Sequence, residues 1–165
     1  MAARFDEVTR LLTAARMKFI VIGGWAAALQ GSARTTLDVD IVYSREKENI
    51  QRLAAVMKGH APYLRGAPPG LPFTFDEKTI RNGLNFTLTS DTLGDVDFLG
   101  EVAGGGTYEQ LLPFTDTFEA YGVNVQCVTV ERLIQLKRAA GRPKDLEAIA
   151  ELQAIFEERR NSAPG

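Results

Sequence analysis

From Phe5 to Arg16 the apolar residues Phe5, Val8, Leu11, Leu12 and Ala15 recur at helical spacing, which predicts an amphipathic helix. The pattern then changes. Lys18 to Ile22 is short, apolar and β-branched, as a buried strand is. Gly23-Gly24 ends it, and the alanine-rich Trp25 to Gln30 returns to helix, closed by Gly31. From Leu37 to Tyr43 apolar residues alternate with Asp38 and Asp40, the period of a strand. Arg45 to Lys58 is helical again, with Ile50, Leu53, Ala54 and Met57 turned inward.

His60 to Pro72 carries four prolines and two glycines and reads as a loop. Phe73 and Phe75 have strand character, as has the run Leu84 to Thr89. Asp91 to Gly94 turns the chain, and Asp95 to Leu99 runs back as a hairpin partner. Gly104-Gly105-Gly106 is flexible, and Tyr108 to Leu112 is one helical turn. Phe114 to Ala120 and Val123 to Val128 flank Tyr121-Gly122 as a second hairpin. Thr129 caps a helix from Val130 to Ala140, which Gly141 breaks. Pro143 suits the first turn of a final helix that reaches about Glu158, and the last five residues are expected to fray. Interleaved helices and hairpins predict an α+β fold: a mixed β-sheet with flanking helices and a C-terminal helical segment. A single domain over 1–165 is expected, with a core over about 5–128 and C-terminal helices over about 130–158.

Composition narrows the chemistry. With 45% apolar residues the chain can build a core. No apolar run approaches the roughly 18 residues of a membrane helix, and the first residues are polar and mixed in charge, unlike a secretory signal. A single cysteine, Cys127, forms no internal disulfide, so a cytoplasmic setting is expected. The single histidine, His60, rules out a multi-histidine metal site. A metal here needs oxygen ligands, hence magnesium or manganese. The net charge of −2 gives no long-range pull toward nucleic acid.

Asp38 and Asp40 share one face of their strand, because residues two apart in a strand point the same way. Two carboxylates held together can bind a divalent cation, or can be the solvated edge of an amphipathic strand. Three further features bear on the choice. Gly23-Gly24 follows a buried strand and opens a helix, where backbone N–H groups can approach phosphates. A second acidic alternation, Asp95 and Asp97, can bring in a third carboxylate. Near the break at Gly141, Lys137, Arg138, Arg142 and Lys144 collect positive charge, suited to a triphosphate or simply to a solvated helix end.

Gly23-Gly24, thirteen intervening residues, Asp38-x-Asp40 and a distal acidic strand resemble the polymerase-β-like nucleotidyltransferase superfamily. Lys137, Arg142 and Asp145 resemble the lysine–arginine–aspartate motif of its AbiEii-type branch. The Gly-Gly-Trp opening is similar to small lincosamide-type antibiotic nucleotidyltransferases. The resemblance spans roughly Phe5 to Leu152. It implies an enzyme that moves a nucleoside monophosphate from an NTP to a hydroxyl of a protein, an RNA end or a small molecule. It implies Asp38 and Asp40 as ligands of magnesium or manganese and Asp97 as the third carboxylate, acting as metal ligand or as base toward the attacking hydroxyl, with Asp95 the alternative. Gly23 and Gly24 would approach the triphosphate, with Arg34 and Thr36 beside it. Lys137 would contact phosphates and Asp145 would complete the site. Two positions differ from the family pattern: Ala148 stands where the AbiEii-type motif has a second acid, and the glycine pair lacks a serine. A catalytically silent binding module, such as an antitoxin acting through a protein partner, is the alternative. Outside the resemblance, His60 reads as a surface residue, Cys127 as buried and inert, Tyr121 as a hairpin residue, and Trp25 as either a packing or a base-stacking residue.

Overall fold

The computed structural model describes residues 1–162. Its main sheet has seven strands in the order β3-β4-β5-β2-β1-β9-β8. These are β1 (Phe19–Ile22), β2 (Val39–Tyr43), β3 (Tyr63–Leu64), β4 (Asn85–Ser90), β5 (Gly94–Leu99), β8 (Thr115–Ala120) and β9 (Val123–Val128). The short strands β6 (Glu101–Val102) and β7 (Gly106–Thr107) pair apart from it. The sheet is mixed: β2 runs parallel to β5 and β1 parallel to β9, and the remaining pairs are antiparallel.

The helices are α1 (Phe5–Ala14), α2 (Gly23–Leu29), α3 (Lys47–Met57), α4 (Glu77–Asn82), α5 (Tyr108–Leu111), α6 (Val130–Ala140) and α7 (Asp145–Ser162). Every residue of β1 is buried, which the uninterrupted Phe-Ile-Val-Ile sequence permits only in mid-sheet. Leu12 of α1, Leu53 of α3, Leu133 of α6 and Leu152 of α7 all belong to the same apolar cluster. No described helix is long and apolar enough to cross a membrane.

The α+β architecture matches the expectation, and the differences from it are local. Phe73 and Phe75 are not in a strand. Phe75 stacks on Phe98 and meets Phe86 edge-on from a loop, so burial alone accounts for its apolar character. Part of the expected His60–Pro72 loop is instead β3, whose Tyr63 and Leu64 pair with Thr89 and Leu88. Of the Gly104–Gly106 segment, Gly104 and Gly105 lie in the turn between β6 and β7, and Gly106 opens β7. Asp76, which accepts a hydrogen bond from the Thr79 N–H, caps the unforeseen α4. The final helix begins at Asp145, with Pro143 in the turn before it, and includes Asn161 and Ser162. The rest of the expected frayed tail lies outside the described residues.

Candidate active site

Asp40 of β2 and Asp97 of β5 are register partners on neighbouring parallel strands, so their carboxylates stand side by side. Asp38 lies on the same face, just before β2 begins rather than within it, and its side chain is 43% exposed. All three line a cavity of about 310 Å³ that also contains Gly23, Gly24 and Lys137. The Asp40 carboxyl is pushed up to about 8 by burial, by its hydrogen bond with Asp97, and by the negative charges of Asp97 and Asp38. A carboxyl group that keeps a proton at neutral pH is here chiefly a buried one, with two neighbouring carboxylates adding to the shift.

Asp95 shares the face of Asp97 but does not line the cavity. It is buried, and its Oδ2 is 3.1 Å from the Met1 ammonium. Burial pushes its pKa upward, but Thr89, that ammonium and Arg65 more than offset this and leave it below the usual carboxylate range. Of the two acids, Asp97 is the one that faces the cavity.

Arg65 is the residue the sequence did not mark. Its N–H donates to the Thr87 carbonyl at 3.0 Å, which continues the β3–β4 pairing by one residue. The side chain then crosses β4. Its Nη2 donates to the Leu88 carbonyl at 2.7 Å and to Asp97 Oδ1 at 2.8 Å. Nε is 3.4 Å from Asp95 Oδ2, and Nη1 is 3.8 Å from Asp38 Oδ2. The guanidinium therefore sits among three carboxylates. Among the described residues, no three acidic, histidine or cysteine side chains are gathered closely enough to hold a metal ion as they stand. Asp38, Asp40 and Asp97 share the cavity without closing on one point. Only the long-range pairing of a two-residue edge strand brings Arg65 here, and a proline-rich stretch gives no local signal of it.

The glycines are explained by what closes on them. Gly23 has φ +67°, and a Cβ there would fall 2.2 Å from Asp40 Oδ2. A Cβ at Gly24 would fall 2.6 Å from Thr36 Oγ1. The turn thus has backbone where any side chain would displace the carboxylate. We expect Gly23→Ala to lose about 1–2 kcal/mol from the left-handed backbone alone, and more from the collision with Asp40. Urea unfolding measures this, and wild-type stability for that variant would contradict the geometry.

Lys137, Arg142 and Lys144 line the same cavity from the end of α6 and the turn before α7. Lys137 is 15% exposed at its side chain and places Nζ 3.9 Å from Asp145 Oδ1. Burial holds its pKa below the usual lysine value, while Asp145 and, more weakly, Asp40 pull it back up. Asp145 is buried and accepts from Arg142 Nε at 2.9 Å and Nη2 at 3.2 Å. The Arg142 hydrogen bonds hold it below the usual carboxylate range. Asp145 is thus placed as a clamp on two cations. Arg34 lines the cavity too, but its guanidinium is 3.0 Å from Glu147 and 3.9 Å from Glu151 of α7. Thr36 Oγ1 donates to the Asp38 carbonyl at 3.4 Å. Beyond Asp40, Asp97 and Lys137 the space continues into a chamber of about 230 Å³ walled by Ile22, Leu99, Val102, Leu133 and Leu136.

The remaining flagged residues lie elsewhere. Trp25 is buried edge-on against Phe5, which makes it a packing residue. His60 Nδ1 is 2.7 Å from Thr92 Oγ1 in an exposed contact. Cys127 is fully buried, and burial pushes its thiol up to about 12, so it is inert. Tyr121, with φ +54°, forms the β8–β9 turn.

No protein-family profile matches the chain, and no curated protein matches it by sequence. Its fold is similar to that of solved nucleotidyltransferases. The lincosamide antibiotic adenylyltransferase LnuA, in its lincomycin-bound form, superposes with a TM-score of 0.61 at 13% identity, covering 93% of this chain and 98% of that one. TM1012 from Thermotoga maritima, itself proposed to be a nucleotidyltransferase, superposes with a TM-score of 0.52 at 15% identity, covering 92% and 95%. The chain has the nucleotidyltransferase fold.

Proposed function

We propose that the protein transfers a nucleoside monophosphate from a nucleoside triphosphate to a hydroxyl acceptor, with release of pyrophosphate and with magnesium or manganese as cofactor. One observation carries this reading: Asp40 and Asp97 stand side by side in a cavity that Gly23, Gly24 and Lys137 also line. The donor set fits a hard dication, because it is all oxygen and sets the Asp40 and Asp97 carboxylates side by side, a like-charge pair that a dication would offset. Asp38, Asp40 and the Asp97 oxygen that Arg65 leaves free would hold it. A bound ion of this kind neutralises phosphate charge and steadies the attacking and leaving oxygens.

The other steps belong to the chain's own residues. Backbone at Gly23 and Gly24 approaches the triphosphate, with Thr36 and Arg34 at its side. Lys137 neutralises phosphate charge, and Asp145 orients Lys137. Asp97 accepts the proton of the acceptor hydroxyl as that oxygen bonds to the α-phosphorus. The bond from the α-phosphorus to the bridging oxygen breaks, and pyrophosphate leaves. The apolar walls of the adjoining chamber favour a small organic acceptor over an RNA end. LnuA, named for a lincosamide antibiotic, provides a small-molecule precedent on this fold.

The test is incubation of the protein with NTPs labelled at the α- or γ-phosphate, magnesium, and panels of hydroxyl compounds, proteins and RNA. Covalent label from the α position only is expected. The silent binding module is the second reading, favoured by the hold of Arg65 on Asp97. Neither transfer nor NTP binding in the presence of magnesium would select it. A pH dependence also follows. Metal binding must displace the Asp40 proton, so affinity for Mn²⁺ rises with pH up to about 8 and levels off above it. Calorimetric titration in buffers of different ionisation enthalpy should show about one proton released at pH 7 and nearly none at pH 9.5. Equal proton release at both would remove Asp40 from the metal site.

A further inference from the structure

Resting on the nucleotidyltransferase reading, we infer that this site takes one divalent cation rather than two, and that the Arg65 guanidinium stands where a second would bind. Two cations in such sites lie about 3.5–4 Å apart and share carboxylates. Each needs about six oxygen ligands. Here one guanidinium is within 4 Å of Asp38, Asp95 and Asp97 at once. It occupies the flank of the cluster that faces β4, and it takes Asp97 Oδ1 for itself. A dication placed there would meet a fixed positive charge at contact distance and would lack that oxygen.

The guanidinium is also anchored. Its Nη2 is shared between the Leu88 carbonyl and Asp97, and the Arg65 backbone N–H donates to the Thr87 carbonyl. Planar, permanently charged and forked, it can hold several carboxylates without leaving. On the opposite flank Lys137 borders the same space, but among the described residues no cation lies within 4 Å of the Asp40 carboxylate. There Asp40 and Asp97 stand as register partners, with Asp40 against the Gly23 turn. Asp95, buried at 8% exposure, keeps Oδ1 without a hydrogen-bond partner. The Arg65 flank sets three carboxylates, Asp38, Asp95 and Asp97, against two cations, the guanidinium and the Met1 ammonium 3.1 Å from Asp95, so it stays net negative with the guanidinium in place. Removing Arg65 therefore leaves an anionic pocket able to admit a second ion.

The test counts Mn²⁺ bound to the full chain by electron paramagnetic resonance, with a saturating α,β-methylene NTP and the nucleotide's own Mn²⁺ complex subtracted. One ion is expected for wild type, two for Arg65→Gln and one for Arg65→Lys, which keeps the charge. Thermal unfolding gives a second measurement: added Mn²⁺ should raise the Tm of Arg65→Gln more than that of wild type. Two ions on wild type would overturn the inference while leaving the function intact. One ion on both wild type and Arg65→Gln, with equal Tm shifts, would overturn it as well. No ion on wild type would remove the metal-dependent reading and this inference together.

Discussion

Asp40→Asn should abolish nucleotidyl transfer while giving a protein more stable than wild type above neutral pH. Both halves come from the same contact. Asp40 is the carboxylate placed between Asp97, its register partner, and the Gly23 turn. A neutral amide there is a poor ligand for a hard cation, and losing that ligand removes several kcal/mol of transition-state stabilisation, or a fall of about a thousandfold or more. Stability moves the other way. The folded state raises the Asp40 pKa from 3.8 to about 8, chiefly by burial and then through Asp97. Folded protein therefore binds a proton that the unfolded chain has released between about pH 4 and pH 8. The wild type loses stability as pH rises through that window. Asparagine does not titrate, and its amide can donate to Asp97 in place of the lost carboxyl proton. Its advantage should be small at pH 4, grow with pH, and be largest above pH 8. Urea unfolding of both proteins at pH 4.5, 7 and 9, beside transfer assays, checks both halves. Near-normal turnover would refute the metal role, and a stability gap that did not change with pH would refute the raised carboxyl.

The elements that carry this argument were legible because their signals are local. Period-two alternation put Asp38 and Asp40 on one face, and the same period left Asp95 and Asp97 as equals. Only the cross-strand environment separates those two: Asp97 faces the cavity, whereas Asp95 is turned toward the Met1 ammonium and Arg65. The glycine pair could be read as a phosphate-approaching turn. That its absent side chains make room for Asp40 and Thr36 needed coordinates, because those residues follow by more than ten positions. Phe73 and Phe75 misled for a physical reason. Alternating aromatics satisfy a strand's pattern, but Phe75 is buried by contact with Phe86 and Phe98 from outside the sheet. Arg65 was illegible. Its role depends on a two-residue strand at the sheet edge, and nothing in a proline-rich stretch encodes which carboxylates a long side chain will reach across β4.

Lys137→Ala should weaken NTP binding or transfer by about 1.5–3 kcal/mol, the scale of a hydrogen bond to a charged group, or roughly ten- to a hundredfold. Lys144→Ala should change either by much less. The difference lies in solvent. Lys144 is exposed, so water and salt screen it. Lys137 has a largely buried side chain, at the junction of the polar cavity and the apolar chamber. Burial already disfavours its charge, and Asp145 at 3.9 Å only partly compensates. A triphosphate supplies the missing negative charge, so binding should raise the Lys137 pKa. Truncation leaves Asp145 paired with Arg142 at 2.9 Å, which keeps the start of α7 in place. Lys137→Met retains an aliphatic stem in the chamber that Leu133 and Leu136 also line, and separates charge from packing. If methionine and alanine lose affinity equally, with unfolding midpoints near wild type, the ammonium is what the triphosphate uses. If methionine restores affinity, Lys137 acts by packing alone. If neither variant differs from Lys144→Ala, the triphosphate is held elsewhere and the C-terminal basic segment is a solvated helix end.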